Sequence, residues 1–319
     1  MLIDMPIEEL KTYQGSSPRP DDFDEFWDAS LAESTALPMN AELIPAKFQA
    51  PCADCYDLFF DGTGNSRIHA KLLCPKNDSG KHPATVHFHG LGGDSLDWIT
   101  KLPYIACGYT VAALDCRGQG GMSEDMNPVC GNTLNGHIIR GLDESDPAKL
   151  YFRNVFLDCA RLTRFVMNME HVDPARVGVC GVSQGGGLTL ACAALVPEVK
   201  LAAPVYPFLS DYRRVWNMDL AINAYGDIKE YFRNFDPTHS REEEVWNRLG
   251  YVDIQNLAPR IRASVMMQTG LMDTICPPST QFAAYNKITS EKEVIFYPDY
   301  GHEYMKGFED RIFQFMMKL

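Results

Sequence analysis

The chain has 319 residues, of which 45% are hydrophobic and 22% are charged, and its formal net charge is −13. This composition is typical of a globular protein with a large core, and an acidic chain without a basic stripe argues against nucleic acid as a partner. The first ten residues lack the features of a signal peptide, and no run reaches the roughly 18 apolar residues that a membrane span needs. We therefore expect a cytoplasmic protein with reduced cysteines and no membrane partner.

The N-terminal region, residues 1–50, is predicted to be an extension that carries one helix. Asp21 or Asp22 is placed to cap a helix across residues 23–31, where the apolar side chains share one face. Cys52 and Cys55 follow as a single Cys-x-x-Cys pair. A zinc site requires a second such pair at suitable spacing, and none is evident, so we expect no metal.

Strand patterns dominate the rest of the chain. Two strands, 55–60 and 67–74, are predicted on either side of a Gly-rich turn. Further short apolar runs, most of them separated by helix-length segments, occupy residues 84–88, 110–114, 177–180, 201–205, 264–269 and 292–297. Strands that are buried on both faces and alternate with helices predict an α/β fold with a mostly parallel central sheet flanked by helices.

Residues 208–256 interrupt this alternation. The segment is rich in aromatic and charged residues, and we interpret it as a helical insertion over the strand ends, before the strand that leads to Asp273. A peripheral helical excursion is the alternative. Aromatic residues in 206–216 and 225–235 are expected to be exposed and available for an interface or a lid. The whole chain, 1–319, is predicted to form one domain.

The most informative motif is Gly181-Val182-Ser183-Gln184-Gly185, between an apolar run and a helix-like run. The order strand, Gly-x-Ser-x-Gly turn and helix is typical of a nucleophilic serine. Small flanking residues let the strand and the helix approach closely while the serine adopts a strained backbone conformation. Ser183 is therefore the candidate nucleophile, and a purely structural turn is the alternative.

A serine nucleophile needs a general base. Only His239 and His302 follow Ser183 in the chain. His239 lies in a charged stretch of the insertion and is expected to be a surface residue. His302 lies between the last predicted strand and the last helix. In proteins with this serine turn, the catalytic residues follow in the order Ser, Asp or Glu, His, so the base is expected at this place. We predict that His302 is the base.

The base in turn needs an acid that orients it. Asp273 follows the strand 264–269 and is expected to lie at the same edge of the sheet as Ser183 and His302. Asp299, three residues before His302, is the alternative, and Asp253 lies inside the insertion. We predict that Asp273 is the acid.

The oxyanion of an acyl-transfer reaction needs two N–H donors. The backbone N–H of Gln184 is one candidate, because the turn points it at the reacting carbonyl. Leu91, in the Gly-rich loop after the strand 84–88, supplies the second candidate N–H, unless the loop is only a turn. We expect His89 to fix this loop and His87 to pack against neighbouring residues.

Taken together, these motifs resemble the acetyl xylan esterase / cephalosporin C deacetylase group, carbohydrate esterase family seven. The resemblance covers nearly the whole chain. The motifs that carry it are Pro18-Arg19-Pro20-Asp21-Asp22-Phe23, Phe88-His89-Gly90, Arg117-Gly118-Gln119-Gly120, Gly181-Val182-Ser183-Gln184-Gly185-Gly186, Gly270-Leu271-Met272-Asp273, Cys276-Pro277-Pro278 and Gly301-His302-Glu303.

The resemblance implies an α/β-hydrolase fold and a serine esterase that deacetylates small substrates such as acetylated xylo-oligosaccharides and cephalosporin C, without a cofactor. It implies catalytic roles for Ser183, Asp273 and His302 and oxyanion donors at Gln184 and Leu91. It further implies a homo-oligomer, a hexamer, whose active sites face an internal cavity.

One position departs from the family. Members commonly have tyrosine where this chain has Leu91. Leucine keeps the backbone N–H donor, but the acyl pocket loses the phenol of tyrosine. The preferred size of the acyl group is therefore a property in which this chain can differ from the family. A short-chain carboxylesterase of broader acyl range is therefore the alternative function, and a peptidase or a non-catalytic binding module on the same fold is less favoured. We interpret Arg117-Gly118-Gln119 as structural support around the serine turn.

Overall fold

One sheet organises the protein. The computed structural model describes residues 3–76, 80–131 and 137–319, and the strands within these ranges form a single 9-stranded sheet. The strands are β1 (Glu42–Pro45), β2 (Ala53–Asp61), β3 (Arg67–Pro75), β4 (His82–Phe88), β5 (Thr110–Leu114), β6 (Val172–Val182), β7 (Leu201–Val205), β8 (Ser264–Gly270) and β9 (Lys292–Tyr297).

The sheet is mostly parallel, as predicted. Its order is β1-β2-β3-β5-β4-β6-β7-β8-β9. The pairs β1–β2, β2–β3 and β3–β5 are antiparallel. All the remaining neighbours, from β5–β4 to β8–β9, pair in parallel. Strands β5 and β7 are buried along their whole length, which explains their continuous apolar sequence. Strand β1 was not predicted, because all its residues are exposed and it has no alternating pattern.

Helices cover both faces of this sheet. The α-helices of the described residues are α1 (Ile7–Leu10), α2 (Phe23–Ala36), α3 (Leu102–Ala106), α4 (Tyr151–Met167), α5 (Gln184–Leu195), α6 (Tyr212–Asn217), α7 (Gly226–Phe235), α8 (Glu242–Gly250), α9 (Ile254–Leu257), α10 (Pro278–Tyr285) and α11 (Phe308–Met316). Among them, none combines the length and the hydropathy that crossing a bilayer requires.

Two hydrophobic cores lie on opposite sides of the sheet. The larger core contains the buried side chains of α2, α4, α5 and the insertion helices. The smaller core contains those of α3 and α11. Because the parallel strands are covered on both sides, only their ends are open to a ligand, and in such sheets ligands bind outside the carboxyl ends of the strands.

Helix α2 ties the N-terminal extension to the rest of the chain. Trp27 is fully buried, stacks on Phe156 of α4 at a centroid distance of 5.9 Å, and donates a hydrogen bond from its indole N–H to the carbonyl of Tyr251 at 2.9 Å. The predicted side-chain cap is wrong. Asp22 occupies the N-cap position, but its φ/ψ of −94°/19° is not extended and its carboxylate accepts the Tyr251 hydroxyl instead.

The insertion between β7 and β8 is helical, as predicted, and comprises α6 to α9. Helix α9 contacts α5, and α6 contacts α10, so the insertion packs on helices that flank the sheet. The expectation of exposed aromatic residues is wrong for most of them, because Tyr206 packs in the smaller core and the other buried ones fill the larger core. The buried ones are Tyr206, Phe208, Tyr212, Tyr225, Tyr231 and Phe232, while Phe235 is exposed.

A pair of buried carboxylates joins the N-terminal segment to the insertion. Asp211 accepts hydrogen bonds from the Tyr13 hydroxyl at 2.7 Å and from the backbone N–H of Ser17 at 2.8 Å. Asp253, which is fully buried, accepts the backbone N–H of Asp211 at 2.9 Å and the side-chain amide of Gln255 at 3.0 Å. Burial, together with the neighbouring Asp211 carboxylate, raises the pKa of Asp253 to about 7.

This raised pKa predicts a specific pH dependence of stability. The folded protein keeps the Asp253 proton to a higher pH than the unfolded chain, whose carboxyl groups titrate near about 4. The stabilising contribution is therefore complete below about pH 4 and is lost as the pH rises through about 7. For this one group, the slope of the free energy of unfolding reaches at most about 1.4 kcal/mol per pH unit.

We expect Asp253→Asn to remove this slope while leaving the smaller one from Asp227, whose pKa burial raises to about 6. Urea unfolding of both proteins between pH 4 and pH 8 measures the difference, at about 1.4 kcal/mol or less per pH unit. Asp21→Asn, at an exposed carboxylate, is the control. An unchanged slope in Asp253→Asn would show that Asp253 does not titrate in this range.

Candidate active site

Ser183 lies at a sharp turn between β6 and α5. Its φ/ψ of 59°/−117° lies outside the regions that non-glycine residues normally occupy, so the backbone there is strained. Two glycines make the turn possible. A Cβ on Gly181 would lie 2.5 Å from the Gly185 carbonyl, and a Cβ on Gly185 would overlap the Phe88 carbonyl. The Gly-x-Ser-x-Gly spacing is thus required by the close approach of three backbone segments.

Backbone hydrogen bonds hold this turn on both sides. The Ser183 N–H donates to the Val205 carbonyl at 3.0 Å, and the Phe208 N–H donates to the Ser183 carbonyl at 3.0 Å. Val205 ends β7, the strand next to β6 in the sheet. The serine hydroxyl is therefore held at the carboxyl edge of the parallel strands.

The structure brings Ser183, His302 and Asp273 together. His302 lies in the loop between β9 and α11, and its Nε2 is 2.9 Å from Ser183 Oγ. Its Nδ1 is 2.8 Å from Asp273 Oδ2, in the loop after β8. Both distances lie within the hydrogen-bond reach that a nucleophile, a base and an orienting acid need.

The carboxylate determines which nitrogen of His302 carries the proton. Asp273 is fully buried, and its Oδ1 accepts the backbone N–H groups of Ile275 and Cys276, each at 2.8 Å. Its Oδ2 remains to accept from the imidazole, so His302 Nδ1 carries the hydrogen. Nε2 is then an acceptor, and the Ser183 hydroxyl donates to it.

The alternative residues lie elsewhere. His239 packs against Trp216 and Phe232 in the insertion and is 3.5 Å from Glu242. Asp299 is exposed, and the Nδ1 of His302 pairs with Asp273 instead. Asp253 caps α9 and binds backbone and side-chain N–H groups there.

Two backbone N–H groups are candidates for binding an oxyanion. Gln184 is the first residue of α5, and the first N–H groups of a helix have no partner within it. Leu91 lies in a tight turn that the Gly93 N–H closes by donating to the Gly90 carbonyl at 3.1 Å. Among the described residues, neither Gln184 N–H nor Leu91 N–H donates to a protein acceptor.

His89 holds the loop that carries Leu91. Its Nδ1 is 2.7 Å from the Gly90 carbonyl, and its Nε2 accepts the Cys116 N–H at 2.9 Å. Burial lowers the pKa of His89, so it stays neutral with the hydrogen on Nδ1. His87 packs edge-on against Tyr104 at 5.1 Å, and burial lowers its pKa to about 3. Both contacts agree with the structural roles expected for these histidines.

A pair of glutamine side chains links Gln184 to the loop that carries Leu91, and the sequence did not reveal it. The Gln119 side chain donates to Gln184 Oε1 at 2.9 Å, and its Oε1 accepts the Gly92 N–H at 2.8 Å. The Tyr151 hydroxyl accepts from Gln119 at 3.0 Å and donates to the Arg117 carbonyl at 2.6 Å. The Arg-Gly-Gln motif marked this segment as structural support, and these contacts agree with that interpretation.

Cys276 is a second residue that the sequence analysis did not assign to the site. It is fully buried, follows Asp273 closely, and its side chain contacts the Ser183 side chain. Burial and the neighbouring Asp273 carboxylate raise the pKa of the Cys276 thiol well above its usual value. The thiolate is the reactive form of cysteine, so the raised pKa of the Cys276 thiol leaves Ser183 as the candidate nucleophile.

Next to these residues lies a cavity of about 560 Å³. Its lining includes Leu96, Tyr104 and Ile312, together with Val182, which immediately precedes Ser183. It lies on the side of α3 and α11, and Ser183 and His302 do not line it. Within 3–76, 80–131 and 137–319, no group of three or more His, Cys, Asp or Glu residues has a metal-binding arrangement.

The fold and the site together define the class of protein, the α/β hydrolases. The sheet is mostly parallel, a strained serine lies between a strand and a helix, and a histidine and an aspartate follow later strands. The model of the acetyl xylan esterase (AXE1) family matches residues 1–319, and the chain belongs to this family of carboxylic ester hydrolases. The resemblance stated from the motifs is thereby confirmed.

Two solved structures are similar over almost the full chain. Acetyl xylan esterase 1 from Thermoanaerobacterium sp. JW/SL YS485 is 56% identical, with 99% of each chain covered and a TM-score of 0.97. The acetyl xylan esterase from Paenibacillus sp. R4 is 38% identical, covers 98% of this chain and 99% of its own, and has a TM-score of 0.93.

A longer relative is also similar. The acetyl esterase Axe7A of Xylanibacter ruminicola is 29% identical over 301 residues, which are 92% of this chain. The present chain spans 65% of the length of that relative.

Proposed function

We propose that the protein is a serine esterase that removes acetyl groups from small substrates through an acetyl-enzyme intermediate. The observation that carries the proposal is the 2.9 Å contact between Ser183 Oγ and His302 Nε2, in a chain of the acetyl xylan esterase family. Acetylated xylo-oligosaccharides are the proposed substrate class, because the similar solved proteins are acetyl xylan esterases.

In the first half of the reaction, Ser183 Oγ attacks the acetyl carbonyl while its proton passes to His302 Nε2. Asp273 keeps the hydrogen of His302 on Nδ1 and stabilises the imidazolium that forms. The backbone N–H groups of Gln184 and Leu91 bind the oxyanion. Removing a single donor of this kind typically costs about 100- to 1000-fold in rate. The alcohol leaves with the proton from His302, and the acetyl group remains on Ser183.

In the second half, a water molecule attacks the acetyl-enzyme. His302 takes a proton from that water as it attacks and returns it to Ser183 Oγ when acetate leaves. The reaction thus consumes one ester and one water and yields one alcohol and one acetic acid, which ionises to acetate and a proton. Each step uses groups of this chain, and none requires a metal or an organic cofactor.

Leu91 is the residue that distinguishes this acetyl-specific activity from the alternative, a carboxylesterase of broader acyl range. Leu91 is 36% exposed. By the resemblance stated from the motifs, family members commonly have tyrosine at this position. A leucine offers no hydroxyl to the acyl pocket. The acyl preference is therefore the property on which the two functions differ.

We expect kcat/KM on para-nitrophenyl esters to fall at least about tenfold from acetate to octanoate, since excluding even one methylene group costs about 1–3 kcal/mol. Leu91→Tyr keeps the backbone donor, so it is expected to retain activity on acetate and to steepen the decline. Ser183→Ala measures the background. A maximum at butyrate or longer would leave the serine mechanism in place and contradict the acetyl assignment.

Two further properties belong to this proposal. Cephalosporin C, deacetylated at its acetyl ester, is a second proposed substrate, and release of acetate tests it. A hexamer is the proposed assembly, and the mass of the particle measured by light scattering tests it. The cytoplasmic location stays a prediction from the sequence, as does the organisation of the chain as one domain.

A further inference from the structure

Tyr206 occupies a strained position beside the site. It directly follows β7, and its φ of 29° lies in the positive region, where a bulky residue is an outlier. Such strain persists only where the surrounding structure holds it, and it is concentrated at functional sites. Here the Tyr206 N–H donates to the Gln268 carbonyl at 2.8 Å, and the preceding Val205 accepts the Ser183 N–H at 3.0 Å.

The strained backbone brings the Tyr206 side chain to His302. The two rings are 4.5 Å apart between centroids, with their planes at 53°. The Tyr206 hydroxyl donates to the Glu303 carbonyl at 3.1 Å, so the same side chain contacts the imidazole and the backbone that follows it. Tyr206 is only 5% exposed, and burial raises the pKa of its phenol, which stays a neutral donor.

His302 needs such a support because its loop offers few others. Its Nδ1 bond to Asp273 restrains one point of the ring, at 2.8 Å. The next two side chains, Glu303 and Tyr304, are exposed, and Tyr304 is 64% exposed. Together with the Nε2 contact to Ser183 at 2.9 Å, the Nδ1 bond leaves the imidazole free to rotate about the line through its two nitrogens. A ring packed against it at 4.5 Å restricts that motion.

We infer that Tyr206 is a positioning residue for His302: its ring holds the imidazole where Nε2 reaches Ser183 Oγ, and its hydroxyl adds a smaller contribution by binding the backbone that follows His302. The inference rests on the proposed function. An imidazolium forms in the transition state, and an aromatic ring within about 6 Å of a cation is close enough for a cation–π interaction. Tyr206 therefore acts on the rate of the chemical steps and not on the binding of the ester.

The test compares Tyr206→Phe with Tyr206→Leu. Phenylalanine keeps the ring and is expected to retain kcat on para-nitrophenyl acetate within about threefold. Leucine removes the ring and is expected to lower kcat about 10- to 100-fold, because a misplacement of about 1 Å can cost about 100-fold. KM is expected to change less than about threefold in both, since ground-state binding is untouched.

A second readout does not depend on the identity of the ester. A fluorophosphonate probe phosphonylates an activated serine, so its rate of labelling Ser183 reports how well His302 is positioned. We expect Tyr206→Leu to be labelled about 10- to 100-fold more slowly than the wild type, matching the loss in kcat. If leucine does not fold at this positive φ, Tyr206→Asn replaces it, because asparagine tolerates such angles.

Tyr109 provides the matched control. It is also a buried tyrosine, and its hydroxyl donates to the Met316 carbonyl at 2.9 Å, on α11. Tyr109→Leu is expected to lower thermal stability while leaving kcat and labelling unchanged. Equal labelling rates for wild type and Tyr206→Leu would overturn this inference alone, as would a change confined to KM. Failure of the wild type to be labelled at Ser183 would overturn the proposed function, and this inference with it.

Discussion

Ser183→Ala is expected to lower kcat on acetyl esters by about 10⁴- to 10⁶-fold, because the reaction loses its nucleophile and no neighbouring group replaces it. Cys276 contacts the Ser183 side chain, but burial raises the pKa of its thiol well above the usual value, so no thiolate forms near neutral pH. The fold should remain intact, since the hydroxyl is bonded to His302 and not to the backbone. Steady-state kinetics and thermal unfolding of the same preparation measure both properties.

Ser210→Ala is the matched control for this substitution. Ser210 is fully buried, and within the described residues its hydroxyl has no hydrogen-bond partner. Its removal should therefore leave kcat unchanged. A Ser183→Ala protein that folds normally and keeps more than a few percent of the wild-type kcat would contradict the assignment of Ser183 as nucleophile.

Asp273→Asn is expected to lower kcat by about 10⁴-fold, because it reverses the tautomer of His302. The remaining oxygen of asparagine keeps the bonds that Asp273 Oδ1 accepts from Ile275 and Cys276, each at 2.8 Å. Its NH₂ group then faces His302 Nδ1 and donates to it. Nδ1 becomes the acceptor and Nε2 carries the hydrogen, so the imidazole cannot take the proton of Ser183.

The comparison variant for Asp273→Asn is Asp299→Asn. Asp299 is an exposed carboxylate three residues before His302, and from the sequence it was the alternative acid. Its replacement should leave kcat within about twofold of the wild type, as expected of a surface substitution. The reverse result, a large loss at Asp299 and a small loss at Asp273, would transfer the role of the acid to Asp299.

Local patterns in the sequence predicted most of the frame on which the site stands. The apolar runs at 177–180 and 201–205 marked β6 and β7, because strands buried on both faces need continuous apolar residues. The Gly-x-Ser-x-Gly turn marked the end of β6, because only glycine fits where Gly181 and Gly185 approach the Phe88 carbonyl. The strand pattern and the glycine turn depend on neighbours along the chain, so they can be predicted without knowledge of the fold.

Asp273 and His302 were predicted from their positions after strands, because the carboxyl ends of parallel strands lie at one edge of a sheet. That rule brings residues to an edge, but it does not give distances. The tertiary structure determined that His302 Nδ1 pairs with Asp273, and not with the nearer residue in sequence, Asp299. The choice depends on the shape of the loop after β9, which no local pattern encodes.

Contacts between residues far apart in the sequence depend on the tertiary structure alone. Gln119 meets Gln184 across 65 residues, and the Tyr206 ring meets His302 from a strained backbone at the end of β7. Asp22 binds the Tyr251 hydroxyl instead of capping its helix. The sequence determined the periodic elements and the order of the reactive residues, because side-chain chemistry and spacing act locally. Which polar groups pair depends on how those elements pack, and that is a property of the whole fold.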